Sequence, residues 1–204
     1  MKSASTAGGV FALLFAVSLA TLGDLLGSFA DPDDAFETFF SDSGNRASVI
    51  VGSLSLVLAG CAMVWLACAI AEAWDTRGMP LVVTASLACG GMILAGLALV
   101  TVPLSISIGD LTDDPGLGMG QAVLPQFGFV ALVIGAMLPA AALVIVIARI
   151  PGLLPRWLSL AGYPVAALLL LALMVGPMVL LAVWIAAVSA VLRRSRPPMA
   201  LHHP

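Results

Sequence analysis

The sequence predicts an all-α integral membrane protein, a helical bundle of six transmembrane helices. Three observations lead to this fold class. The 204-residue chain is 61% hydrophobic and only 9% charged, whereas soluble domains contain about 25% charged residues. Its apolar residues fall in runs of roughly 20, the length that a helix needs to cross a bilayer core. Its charged residues lie mostly between those runs. A soluble monomer and a disordered chain are both excluded by this composition.

The apolar runs set the predicted spans. The first four cover about 9–29, 47–71, 81–102 and 123–148. The last run, from Trp157 to Leu192, has 36 residues. As one helix it would measure about 54 Å, too long for a single crossing. Gly176-Pro177 near its middle predicts a break, because proline interrupts a helix. We therefore expect two short spans, about 157–175 and 178–192. The alternative is one long kinked helix, which would make five spans.

Charge placement favours six spans and gives an orientation. Basic residues mark cytoplasmic helix ends. Six spans with both termini inside put seven of the eight basic residues on the cytoplasmic side and leave only Arg46 outside. Five spans would move the basic tail, 193–204, to the outer side. Seven of the basic residues are arginine, and Ala and Gly are abundant, as in a GC-rich bacterial genome. We expect a multi-pass protein of the bacterial plasma (inner) membrane.

The first span has a second interpretation, as a cleaved signal peptide. Lys2 gives a minimal charged start, and Ser28-Phe29-Ala30 resembles a small-x-small cleavage site. Its apolar stretch is longer than the usual signal core of about 7–15 residues. We expect the span to be retained. Cleavage would leave five spans with the same downstream orientation.

A short amphipathic helix is predicted in the outer loop after the first span. Asp31 suits the N-cap and Pro32 the first helical position. Phe36, Phe39 and Phe40 recur at helical spacing on one face, and Gly44 is placed to close the helix. The pattern predicts a helix lying on the outer membrane surface. A cation site is the alternative for these acids, but their spacing matches no known calcium loop, so no metal is predicted.

Asp24 lies inside a predicted span, where an ionisable residue is a functional hypothesis by default. It falls about 21 Å from Val10 along the helix, in the outer leaflet rather than at the midplane. We expect a structural ion pair with Arg46, which opens the next span, because consecutive helices usually pack side by side. Hydration from the outer surface and a transport role are the alternatives.

The sequence offers no catalytic set. It contains no Gly-x-Ser-x-Gly and no His-Glu-x-x-His, and its two histidines, His202 and His203, lie on the tail. Cys61, Cys68 and Cys89 lie in apolar runs, where free cysteines act as small packing residues. We therefore expect no enzyme, no cofactor and no metal site. The net charge of −3 argues against a nucleic-acid partner.

Four short stretches resemble a family of uncharacterised multi-pass membrane proteins common in actinobacteria. They are Asn45-Arg46 at the start of the second span, Met63–Leu66 within it, Leu154–Leu158 before the fifth, and Trp184 followed by Leu192-Arg193-Arg194. The resemblance covers nearly the whole chain. It implies six spans and supplies no assigned activity and no catalytic residues.

Two classes of function fit these observations. The first is a non-enzymatic membrane protein that packs against a membrane partner or another copy of itself. It is favoured by span interiors that carry no charge apart from Asp24 and by small-residue faces such as Gly23 and Gly27. The alternative is a channel or carrier for a small or lipidic molecule, indicated by Pro139 within a span, Asp24 and the polar outer loops. A packed interior would favour the first class and a continuous polar cavity the second.

Overall fold

The computed structural model describes residues 2–28, 38–74, 78–112, 123–170 and 175–194. These residues are almost entirely helical and include no strand, so the predicted all-α class is confirmed. The elements are α1 (Lys2–Ser28), α2 (Ser43–Trp74), α3 (Met79–Thr112), α4 (Val123–Val130), a π-helical segment (Ala131–Met137), α5 (Leu138–Ala148), α6 (Arg156–Leu170) and α7 (Val175–Arg194). The π-helical segment joins α4 to α5 without a gap.

Four of these helical stretches are long and apolar enough to cross a membrane by length and composition. They are Lys2–Gly23, Ser43–Trp74, Met79–Ser107 and Gln126–Ala148. The result agrees with a helical membrane bundle. Several helices run beyond the predicted spans: α1 begins at Lys2, α2 begins at Ser43 and α3 ends at Thr112. At α2, the Asp42 carboxylate accepts the backbone N–H of Gly44 at 2.9 Å, the bond of an N-cap residue.

The helices form a ring in chain order. Each packs against the next, and α7 packs against α1 to close the ring. The interior is filled by large apolar side chains that are fully buried, including Phe11 and Phe15 of α1, Met63 of α2 and Met92 of α3. The two phenylalanine rings stack with their centroids 5.3 Å apart. The centre of the bundle is therefore a packed core.

The last apolar run folds as a hairpin of α6 and α7. The indole Nε1 of Trp184 donates to the carbonyl oxygen of Leu158 at 3.3 Å. In one continuous helix these residues would lie about 39 Å apart, so the two helices lie side by side and the single-helix alternative is wrong.

The place of Gly176-Pro177 also differs from the prediction. Both residues lie within α7, which begins at Val175, and they do not interrupt a helix. The reason is that Pro177 lies in the first turn of α7, where the N–H groups have no partner within the helix and proline is tolerated.

The α3 helix touches the π-helical segment backbone to backbone. A Cβ atom placed on Gly91 would overlap the backbone of Gly135 and Ala136. Pro139 follows closely and has no N–H to donate to the carbonyl four residues earlier, that of Gly135. A π-helical pattern, in which the donor is five residues away, accommodates this missing bond. The π-helical geometry and the close backbone contact with α3 therefore occur at the same helix crossing.

The described end of the predicted outer helix is helical, but Phe40 does not face the membrane surface as predicted. Phe36 and the capping residue Asp31 lie outside the described residues, but residues 38–41 are helical. Phe39 and Phe40 meet edge to face at 5.1 Å between centroids. Phe40 is only 2% exposed and packs with Leu22, Leu25, Val49, Leu99 and Val102. It therefore contacts the bundle and not lipid. Gly44, expected to close this helix, instead lies in the first turn of α2.

Candidate functional site

For the predicted ion pair of Asp24 and Arg46, the structure describes the packing of the two helices that carry these residues but not the pair itself. The side chain of Asp24 lies outside the described residues, and Arg46 lies in the first turn of α2, where its N–H bonds the Asp42 carbonyl at 3.2 Å. Helices α1 and α2 do pack side by side. Gly52 lies against Thr21, which places the two charged positions at the same end of this helix pair. The ion pair itself stays a prediction.

The interior of the described bundle contains few polar side chains. Its buried polar side chains are Ser18, Ser53, Ser55 and Ser189. The hydroxyls of Ser18 and Ser53 have no hydrogen-bond partner within the described part of the chain. Across the same residues, no three metal-binding side chains come together. Serine hydroxyls without an adjacent base are weak nucleophiles.

The three cysteines are free thiols on α2 and α3. Cys61 is exposed, Cys68 is half-buried and Cys89 is buried. Gly60 lies directly against Cys89, whose Cα and Sγ would each lie 3.2 Å from a Cβ placed on that glycine. Cys89 therefore fills space at a close α2–α3 crossing, as a small hydrophobe does.

The most distinctive polar feature is a cleft where α1 begins and α7 ends. Its volume is about 610 Å³, and we call it the α1–α7 cleft; it is lined by Ser5, Gly9, Ser189, Ala190, Arg193 and Arg194. The Ser5 hydroxyl donates to the Ser189 carbonyl at 2.8 Å. The Ser189 hydroxyl donates to the Ile185 carbonyl at 2.8 Å. Both hydroxyl protons are thus committed to backbone oxygens, while the hydroxyl oxygens remain able to accept.

Two glycines shape the cleft in opposite ways. A Cβ on Gly8 would overlap the Ser189 hydroxyl, so this residue lets α1 and α7 approach closely beside the cleft. A Cβ on Gly9 would meet nothing within 4 Å, so this residue leaves the mouth of the cleft open. The Arg193 and Arg194 side chains are exposed at the rim. The result is a small-residue floor with two cations above it.

The cleft lies at the basic end of α7. The last turn of this helix carries Arg193 and Arg194, and basic residues mark the ends of membrane helices. The cleft therefore lies near a predicted end of the last span.

The sequence indicated the two arginines only as a topology signal, and it did not indicate the cleft. Ser5 and Ser189 are separated by 184 positions, and no local pattern pairs the first helix with the last. The only available signal was the run of small residues near the start of α1, including Gly8 and Gly9.

Comparison of the chain with protein-family models, with curated proteins and with solved structures finds no match. The resemblance to actinobacterial multi-pass proteins therefore stays a prediction, and function is argued from the residues of this chain.

Proposed function

We propose that this chain is a six-span protein of the bacterial plasma membrane that acts by binding a membrane partner or a second copy of itself, without catalysing a reaction. The packed core is the observation that carries this proposal. Phe11, Phe15, Met63 and Met92 are fully buried between the helices and fill the interior that they enclose. Ion-coupled carriers need ionisable residues in that interior, whereas the buried polar groups described here are serines.

The outward face of α1 supports a role in helix association. Its exposed positions include Gly9, Ala16 and Ala20 with one large residue, Leu13, between them, whereas the exposed positions of α3 include Leu87, Leu94 and Leu97. Large apolar side chains are sufficient to face lipid. Small residues allow a second helix backbone to approach closely, which is what drives helix association in membranes.

We expect Ala20→Leu to weaken association in mild detergent. The added side chain would hold a partner helix away from α1. Size-exclusion chromatography with light scattering should show the wild-type chain with a stoichiometric partner or second copy, and a loss of that complex in the variant. Ala167→Leu is the matched control, because Ala167 is also exposed but lies on α6. A pure monomer for both the wild type and the variants would overturn the proposal.

Both termini are proposed to be cytoplasmic. The support is the seven-to-one division of basic residues under six spans, together with the α6–α7 hairpin. A periplasm-active reporter fused after Pro204 should be silent, and the same reporter inserted between Asp110 and Gly116 should be active. Activity of the fusion at Pro204 would exclude the six-span orientation.

The second candidate is a channel or carrier, and the π-helical segment is the observation that favours it. Such segments occur often at functional sites, and this one is adjacent to Pro139 and contacts α3 through Gly135. Purified protein in vesicles would then speed the uptake of a small polar solute such as glycerol, measured by light scattering. Uptake equal to that of empty vesicles, together with a stable complex in detergent, would favour partner binding.

A further inference from the structure

We infer that the α1–α7 cleft binds the phosphate of an anionic phospholipid whose headgroup carries hydroxyls. The inference requires only that the helices lie in a membrane, and it does not depend on which partner the protein binds. Arg193 and Arg194 supply the cationic rim, and Ser5 supplies a hydroxyl oxygen at the floor. Basic pockets between helices at a membrane boundary suit lipid headgroups.

The charge of the cleft comes from the arginines. The N-terminal end of α1 and the C-terminal end of α7 meet here, so their opposite partial charges largely offset each other. Among the described residues that line the cleft there is no aspartate or glutamate. Guanidinium groups bind phosphate oxygens through paired charge-assisted hydrogen bonds, which gives both affinity and orientation.

Ser5 favours a headgroup that can donate hydrogen bonds. Ser189 is buried and its hydroxyl lies against Gly8, so Ser5, which is half-buried, is the serine that a ligand can reach. The Ser5 hydroxyl proton is already given to the Ser189 carbonyl, so its oxygen can only accept, which matches the hydroxyls of a glycerol headgroup and does not match the methylated ammonium of choline. Phosphatidylglycerol has both required features, a net negative phosphate and hydroxyl donors.

The shape of the cleft favours a lipid over free phosphate. Gly9 and Ala190 line the open seam between the two helices, and Ala186 is exposed one turn closer to the middle of α7. An acyl chain from a headgroup held at the rim can follow this seam toward the membrane core. A seam that continues away from the charged end suits a ligand with an extended tail better than an isolated phosphate.

The test measures the thermal unfolding of purified protein in a neutral detergent during titration with three compounds. These are phosphatidylglycerol, phosphatidylcholine, and glycerol phosphate as the free headgroup. We expect a saturable rise in melting temperature with phosphatidylglycerol alone, which weakens as salt is added. An equal rise in melting temperature with glycerol phosphate would show that the site binds a soluble phosphate ester, and it would contradict the inference that the ligand is a lipid. Equal rises in melting temperature with phosphatidylglycerol and phosphatidylcholine would contradict the inference that the cleft binds an anionic lipid.

Two independent variants locate the effect in the cleft. The double substitution Arg193→Gln with Arg194→Gln should weaken phosphatidylglycerol binding by about tenfold or more, because it removes the charge-assisted bonds. Arg149→Gln with Arg156→Gln is the matched control, since both side chains are exposed and lie outside the cleft. Equal affinities for the two double variants would contradict the inference.

The second variant fills the cleft without changing charge. Gly9→Leu should also reduce binding about tenfold, because its side chain enters the open mouth. Gly23→Leu is its control, since a Cβ there also meets nothing within 4 Å and Gly23 lies at the other end of α1. If Gly9→Leu binds phosphatidylglycerol as tightly as Gly23→Leu does, the lipid is not in the cleft. This pair keeps the test decisive even if the arginine variants fail to fold.

Discussion

Replacing Gly91 by alanine is expected to destabilise the bundle by about 3 kcal/mol or more. The new Cβ would overlap backbone atoms of Gly135 and Ala136. Backbone cannot rotate out of the way as the end of a side chain does, so α3 and the π-helical segment must separate. Overpacking a well-filled core costs about 1–3 kcal/mol, occasionally more, and a backbone clash belongs at the upper end. The free energy of unfolding in mixed micelles, from a titration with sodium dodecyl sulfate, measures the effect.

Gly90→Ala is the matched control for Gly91→Ala. Gly90 precedes Gly91 on the same helix, and a Cβ there would meet nothing within 4 Å. Alanine is the better helix former by about 0.5–1 kcal/mol, so this variant should be as stable as the wild type or slightly more stable. Equal stabilities for the two variants would show that α3 and the π-helical segment do not touch at Gly91.

The sequence could predict where helices run, because that information is local. A bilayer imposes a minimum length on each apolar run. The predicted span 123–148 agrees with the structure, in which α4 begins at Val123 and α5 ends at Ala148. The prediction that Gly176-Pro177 interrupts the last run is wrong. A proline is tolerated in the first turn of a helix, and Pro177 lies in the first turn of α7.

The environment of Phe40 depends on its neighbours in space, and the sequence pattern does not contain that information. Helical spacing beside an outer loop predicts a face turned toward lipid. The same spacing serves equally to pack the ring against α1, α2 and α3, which is what the contacts with Leu22, Val49 and Leu99 show. Hydrophobic periodicity identifies a buried face, but it does not say whether protein or lipid covers it.

The α1–α7 cleft was beyond sequence reasoning for a related reason. It exists because the ring closes, and closure joins residues near opposite ends of the chain, as the bond between Ser5 and Ser189 shows. Each of its residues is ordinary in its own helix. Arg193-Arg194 is a common end to a last span, and Gly9 is one of 20 glycines in the chain. Only the pairing of α1 with α7 makes them a site.

Trp184→Ala is expected to cost about 3 kcal/mol and to loosen the α6–α7 hairpin. Trp184 is 3% exposed, and its ring atom Cζ2 would lie 3.3 Å from a Cβ placed on Gly162. Truncating a buried tryptophan costs about 3–5 kcal/mol. We expect the lower end of this range, because the separated helices are surrounded by lipid and not by water. The cost then comes mainly from the packing contacts that are lost. Thermal unfolding in detergent measures the loss.

Trp157→Ala is the control for this prediction, because Trp157 is 64% exposed and exposed substitutions usually change stability by less than about 0.5 kcal/mol. Trp184→Phe separates packing from hydrogen bonding. Since α6 is helical at Leu158, that carbonyl also accepts a helical bond, so losing the indole donor should cost only about 0.5–1.5 kcal/mol. A loss for Trp184→Phe as large as for Trp184→Ala would make the hydrogen bond, rather than the ring volume, the source of hairpin stability. Equal stabilities for Trp184→Ala and Trp157→Ala would contradict the side-by-side packing of α6 and α7.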